Sequence, residues 1–158
     1  MARSEVGRDL PEGEGLGIAA HFTFGGYAAW VAHVAVAPEG SFRVKRLVGA
    51  IDCGLAVNPN GVRDQMEGGA CDGLSTALVQ ELTVEGGRHK ETNFHEYRMM
   101  RIADAPPQID VHIVQGADHP SGAGEPPLPP VAPAVTNAIF AATGKRIRRL
   151  PIGDQVKR

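Results

Sequence analysis

The chain has 158 residues, enough for one domain with a substantial buried core. Its formal net charge of −2 gives no electrostatic reason to expect nucleic acid or an anionic membrane surface as a partner. No apolar run approaches the roughly 20 residues that a membrane-spanning helix needs, and residues 1–6 lack the apolar core of a secretory signal. We therefore expect a cytoplasmic protein, which a partner with its own signal could still carry to the periplasm.

The residue types that most often hold metals or clusters occur without the spacing that would indicate a site. Cys53 and Cys71 are far apart and form no CxxC motif, so we expect no zinc site and no iron–sulfur cluster held by this chain alone. Both cysteines are interpreted as small buried hydrophobic residues. The histidines show no HExxH pairing, and the motifs for nucleotide phosphates and for serine hydrolases are absent as well.

The first part of the chain is predicted to contain strands. Residues 1–16 are polar and rich in glycine and are predicted to form a flexible arm, with the domain spanning 17–152 and a tail at 153–158. A strand over about 27–37 carries apolar side chains on both faces, which predicts burial on both sides. The turn residues Pro38 and Gly40 lead to a second strand over about 41–52, so the two strands are predicted to form a hairpin.

A long helix is predicted to begin at Asn58 and Pro59, since asparagine is a good N-cap and proline is favoured at the first helical position. Apolar and small residues then recur to residue 78 at the spacing of a helix that buries one face. The middle of this face contains Gly68, Gly69 and Gly73, and each glycine in a helix costs about 0.5–1 kcal/mol relative to alanine. Either a neighbouring backbone packs very close to this face or a ligand does.

The remaining segments complete an α+β (mixed α/β) pattern. We predict a second hairpin after residue 82, a strand at 109–113, and a helix from near Pro130 that ends before Gly144. Strands paired as hairpins and then alternating with two helices indicate antiparallel hairpins and a small mixed sheet packed against two main helices.

The stretch from Gly122 to Pro127 carries the leading candidate for chemistry, Glu125. The glycines at 122 and 124 allow close approach of the backbone to a ligand, and the two prolines after the acid stiffen the chain. A general base needs such a fixed geometry. From spacing alone, a surface turn with a solvated glutamate is the simpler interpretation.

Two other polar residues could belong to a site. Asp52 ends a predicted buried strand, where an aspartate more often caps the bend than acts as an acid. Gln65 precedes the glycines of the first helix and could donate an amide hydrogen bond to a polar cofactor, or it could face solvent.

Several blocks of the sequence resemble the end of the large, molybdopterin-binding subunit of the xanthine dehydrogenase/aldehyde oxidase family, and most closely its isoquinoline 1-oxidoreductase beta-subunit type. The similarity covers about residues 17–152 and keeps the family's order. The blocks that carry it are DCGLAVNP (52–59), QMEGG (65–69), NFHEY (93–97), GAGEPP (122–127), PVAPA (130–134), NAIF (137–140) and AATGKRIR (141–148).

The resemblance implies oxidative hydroxylation of a small aromatic N-heterocycle or an aldehyde. The implied cofactor is molybdenum held by molybdopterin, commonly as the cytosine dinucleotide in bacterial members. Glu125 matches the family's catalytic glutamate, a base that takes the proton from a metal-bound hydroxyl. The stretches that would approach the cofactor contain Gln65, Gly68, Gly69, Gly122 and Gly124.

The family's subunits are several times longer than this chain. The resemblance therefore implies a C-terminal segment that needs the remainder of the molybdopterin-binding subunit and a 2Fe–2S subunit, is inactive alone, and could also form a homo-oligomer. The alternative is a non-catalytic scaffold or assembly module that retains the family fold.

Overall fold

The computed structural model describes residues 9–116 and 119–157, which form a four-stranded sheet, two main helices and a small separate hairpin. In chain order the elements are β1 (Glu14–Thr23), β2 (Gly26–Val36), β3 (Phe42–Asp52), α1 (Pro59–Leu78), β4 (Val84–Glu85), β5 (Arg88–His89), β6 (Ile109–Ile113) and α2 (Val131–Thr143). Short 3₁₀ turns lie at Ile102–Asp104 and Gly153–Val156.

The sheet has the strand order β1-β2-β3-β6. The pairs β1–β2 and β2–β3 are antiparallel, whereas β6 joins β3 in parallel. A parallel pair needs a long crossover connection, and here α1 and the segment after it provide one. β4 and β5 form their own antiparallel pair. The predicted fold of hairpins, a small mixed sheet and two main helices is confirmed.

The sheet is fully covered on one face only. Trp30, Ala32 and Val34 of β2 are completely buried and belong to the core that both helices complete. Val31 and Ala35, which point to the opposite face, are only partly buried. The prediction that this strand is buried on both sides is therefore wrong, because both helices pack against the same face.

Small residues on β1 let helix α2 lie directly on the sheet. A Cβ at Gly15 would overlap the carbonyl of Ala138, and one at Gly17 would overlap the backbone of Ala134 and Ala138. Backbones that approach this closely leave no space for a side chain at either position.

Both ends of the predicted domain need correction. β1 begins at Glu14, so residues 14–16 belong to the sheet and not to an arm, while residues 1–8 of the predicted arm lie outside the described residues. At the other end Val156 is only 2% exposed and is part of the core. The residues from Gly153 to Val156 are therefore part of the fold. Both segments are polar in sequence, which led to the prediction that they lie outside the domain. Strand pairing and the burial of Val156 depend on distant parts of the chain, so the local sequence could not predict them.

The Glu14 side chain on β1 forms ion pairs with His33 on β2 and with Lys45 on β3. Its carboxylate accepts hydrogen bonds from Lys45 Nζ at 2.7 Å and from His33 Nε2 at 2.5 Å. The hydrogen bond from Lys45, and then that from His33, lowers the pKa of Glu14 below its ordinary value of 4.5. A carboxylate whose pKa is lower in the folded state stabilises the fold above its unfolded pKa, and that stabilisation is lost as the pH falls through the folded value.

We expect Glu14→Gln to lower the free energy of unfolding by about 0.5–1 kcal/mol at pH 7, in the range of partly exposed ion pairs. This difference from the wild type should shrink as the pH falls below about 4.5, because the carboxylate of the unfolded chain then takes up a proton more readily than that of the folded chain. Urea unfolding at a series of pH values measures it. Glu12→Gln, at an exposed position two residues away, should have no comparable effect, and a difference that does not change with pH would contradict the role of the charge.

Candidate cofactor-binding site

The segment that follows Glu125 is fastened to the core. Pro126 and Pro127 are buried, and the buried indole N–H of Trp30 donates a hydrogen bond of 2.7 Å to the carbonyl of Pro127. Leu128 N donates to the carbonyl of Glu125 at 3.0 Å, which closes a turn at the acid. The backbone that carries Glu125 is therefore held by contacts with the sheet.

Helix α1 holds the same segment from the other side. A Cβ at Gly69 would lie 2.8 Å from the Cβ of Pro127, and a Cβ at Gly73 would lie 2.7 Å from the carbonyl oxygen of Leu128. Close packing thus accounts for two of the helix's three central glycines. Gly68 differs, since it is exposed and a Cβ there would meet no atom within 4 Å. The space above Gly68 is therefore open in the described part of the chain.

Gln65 comes close to the segment of residues 121–128 that carries Glu125, here called the glutamate loop. The amide nitrogen Nε2 of Gln65 lies 2.9 Å from the position that a Cβ at Gly124 would occupy. Gln65, Gly124 and Glu125 are all exposed on the surface of this chain. The structure therefore brings the Gln65 amide next to Gly124, the residue before Glu125, from two segments about 60 residues apart in the sequence.

The start of the glutamate loop is hydrogen-bonded to, and packed against, residues at the ends of the first three strands. Ser121 N donates to the carbonyl of Cys53 at 2.8 Å, and Gly122 packs against Phe24. Phe24 has a φ of 53°, the left-handed backbone that a tight turn requires. The buried hydroxyl of Ser121 has no hydrogen-bond partner among the described residues. No sequence pattern pointed to Ser121 or to Phe24.

Asp52 has a structural role in this arrangement. Its carboxylate accepts a hydrogen bond of 3.0 Å from Gly54 N, immediately after β3. The same carboxylate lies against Gly116, where a Cβ would overlap it. These contacts favour the interpretation of Asp52 as the cap of a strand-to-loop bend.

The surroundings of both cysteines favour the neutral thiol. Burial raises the pKa of both Cys53 and Cys71, and the neighbouring carboxylates of Asp52 and Glu67 raise them further. Cys53 is buried as predicted, whereas Cys71 is only partly buried, because it lies at the margin of the face that α1 buries. A neutral thiol is a poor metal ligand.

In residues 9–116 and 119–157, no three His, Cys, Asp or Glu side chains gather as a metal site. No helix in this part of the chain is long and apolar enough to span a bilayer.

The sequence matches the family model of the molybdopterin cofactor-binding domain over residues 9–106. The chain therefore belongs to the family of molybdopterin cofactor-binding domains. Gln65, Gly68 and Gly69 lie inside the matched range, whereas Glu125 lies after it.

Curated relatives include subunits of oxidoreductases. The beta subunit of isoquinoline 1-oxidoreductase from Brevundimonas diminuta is 38% identical over 128 residues, which are 77% of this chain and 16% of that protein. The molybdenum-binding subunit PaoC of the aldehyde oxidoreductase from Escherichia coli is 32% identical over 120 residues, 72% of this chain and 16% of that protein. The chain thus spans less than a fifth of the length of these two relatives.

A solved structure shares the fold. The aldehyde oxidoreductase from Desulfovibrio desulfuricans superimposes with a TM-score of 0.72 and 29% identity, over 84% of this chain and 15% of that protein. The resemblance to the xanthine dehydrogenase family and the expected fold are confirmed.

The exposed residues of the site fit part of a pterin-binding surface. The Gln65 amide can both donate and accept hydrogen bonds, as the polar edge of a pterin requires. Gly68 leaves a stretch of helix open to close approach. Gly122 and Gly124 are exposed on the loop, where a Cβ would meet Phe24 and the Gln65 amide respectively. Apart from the Glu125 carboxylate, these residues carry no side chain that commonly binds metal, so the chain would contact the organic part of the cofactor.

Proposed function

We propose that this chain is the C-terminal segment of the molybdenum-binding subunit of a hydroxylase, with Glu125 as its general base. The observation that carries the proposal is the proximity of Gln65 on α1 to Gly124, the residue before Glu125, in a domain of the molybdopterin-binding family. The substrate class is a small aromatic N-heterocycle or an aldehyde, in keeping with the names of the relatives.

In the proposed site each residue has a separate task. Gln65 donates its amide hydrogen bond to the cofactor, while Gly68 and the loop glycines let it approach the backbone. The carboxylate of Glu125 accepts a proton, and the turn closed by Leu128 N holds the backbone that carries it. The bound molybdenum–molybdopterin, in its cytosine dinucleotide form, would supply the redox chemistry.

The chain supplies only one side of such a site, because Gln65 and Glu125 are both open to solvent. We propose that the remainder of the molybdopterin-binding subunit covers this side and supplies most of the substrate pocket. A separate 2Fe–2S subunit would accept the electrons. The assembled enzyme would be cytoplasmic unless a partner's signal exports it, and the isolated chain would be inactive.

Metal analysis of purified protein tests this proposal. We expect molybdenum at background in the chain alone, and near stoichiometric molybdenum after co-expression with the remainder of the subunit and the 2Fe–2S subunit. Molybdenum at background in every assembled complex would contradict the proposal and favour a non-catalytic scaffold.

A further inference from the structure

The connecting segment, defined as residues 82–102 between α1 and β6, exposes an unusual amount of apolar surface. It contains both strands of the small hairpin and few residues of the buried core. Its exposed large hydrophobic side chains are Leu82, Val84, Phe94, Met99 and Ile102. Apolar patches on protein surfaces commonly mark interaction sites when they are contiguous.

Phe94 is the aromatic member of this group, and 95% of its surface is exposed. The turn that carries it is nonetheless tightly hydrogen-bonded. Asn93 Oδ1 accepts from Phe94 N at 2.8 Å, and Glu96 Oε2 accepts from Thr92 N at 2.7 Å and from Asn93 N at 3.2 Å. An aromatic side chain on a preorganised turn costs little entropy when it binds, which is the property of an interface anchor.

Phe94 borders an open cleft of about 350 Å³, whose other apolar walls are Leu82 and Tyr97. Glu91 at the edge of the cleft accepts a hydrogen bond of 2.7 Å from Thr83 N, which holds the strand next to Leu82. Hydrogen bonds therefore hold the chain on both sides of the cleft, at Thr83 and at the turn of Phe94. The cleft has room for a large apolar side chain.

The connecting segment is also tied to the helix that carries Gln65. Met100 N donates to the buried hydroxyl of Ser75 on α1 at 3.0 Å, and Met100 packs against the core. A partner held at the cleft would therefore be held in a defined position relative to α1.

We propose that the cleft formed by Leu82, Phe94 and Tyr97 is where the remainder of the molybdopterin-binding subunit docks, with an apolar side chain of that polypeptide in the cleft. This inference rests on the proposed function. The length of the chain points to this occupant. The chain spans only 16% of each of two curated relatives, so more than four fifths of such a protein lies outside the matched part and could supply the side chain that enters the cleft.

Site-specific photocrosslinking in the co-expressed complex tests the docking surface. Phe94 is replaced by p-benzoylphenylalanine, and Phe22, another exposed phenylalanine, is replaced in a matched control. We expect position 94 to crosslink to the remainder of the subunit. A complex that contains molybdenum but gives no such crosslink overturns the docking surface alone, as does a crosslink between two copies of this chain. If no complex forms and no molybdenum is bound, the proposed function fails with it.

Binding of the same polypeptide gives the second measurement. Phe94→Ser should weaken the affinity of this chain for that polypeptide by at least about tenfold, as loss of an anchor residue does. Phe22→Ser should change it by less than about twofold. Equal weakening by the two variants, or none by Phe94→Ser, would overturn the proposal.

Discussion

Glu125→Gln is expected to reduce turnover of the assembled enzyme by about 10²–10⁴-fold, the usual contribution of a positioned general base, while its molybdenum content stays unchanged. Glutamine has nearly the shape of glutamate but cannot accept the proton. The loop should keep its conformation, because the turn uses backbone atoms and the hydrogen bond from Trp30 is made to Pro127. Steady-state rates and metal analysis of the same preparation measure the two quantities.

A matched control is available on the neighbouring helix. Glu67 is exposed and lies two residues after Gln65, so Glu67→Gln removes a nearby charge without touching the loop. We expect it to retain turnover within about twofold. Turnover of Glu125→Gln that stays near the wild-type rate would exclude Glu125 as the base, and an equal loss in both variants would indicate a general effect of charge.

Gly73→Ala and Gly68→Ala are expected to change stability in opposite directions, although both replace a glycine inside α1. At Gly73 the new methyl group would lie 2.7 Å from the Leu128 carbonyl and 2.8 Å from the Val131 Cβ, so the loop or α2 must move. Overpacking of this kind costs about 1–3 kcal/mol, of which the helix propensity of alanine recovers about 0.5–1. Gly68→Ala meets no atom and should raise the free energy of unfolding by about 0.5–1 kcal/mol.

Urea unfolding of the purified chain measures both variants without any partner. Stabilisation by Gly73→Ala would show that the glutamate loop does not pack on α1 as described. The assembled complex adds a second comparison for the exposed glycine. If Gly68 faces the cofactor as we propose, Gly68→Ala should stabilise the chain and still lower its molybdenum content.

Local signals in the sequence predicted most of the elements. Asn58 caps α1 by accepting a hydrogen bond from Gly61 N, and the helix begins at Pro59. Gly144 ends α2 in the left-handed conformation, with a φ of 72°. β6 covers the predicted residues 109–113. These features depend on a few neighbouring residues, whose capping groups and side-chain alternation can be read directly.

The family resemblance predicted a catalytic role and a cofactor class, which residue spacing alone did not. Spacing alone left Glu125 as an ordinary surface acid, and it still lies exposed on this chain. The block from Gly122 to Pro127 suggested a catalytic role, and the family match supports the cofactor class.

By itself, then, the sequence determined where the helices and most strands lie and to which family they belong, because capping, periodicity and short motifs are local. Tertiary structure alone decided that Gly69 and Gly73 serve packing while Gly68 stays open. It also decided that Trp30 holds Pro127 across 97 residues of sequence. Such contacts join segments that carry no local mark of each other, so only the folded chain shows which residues meet.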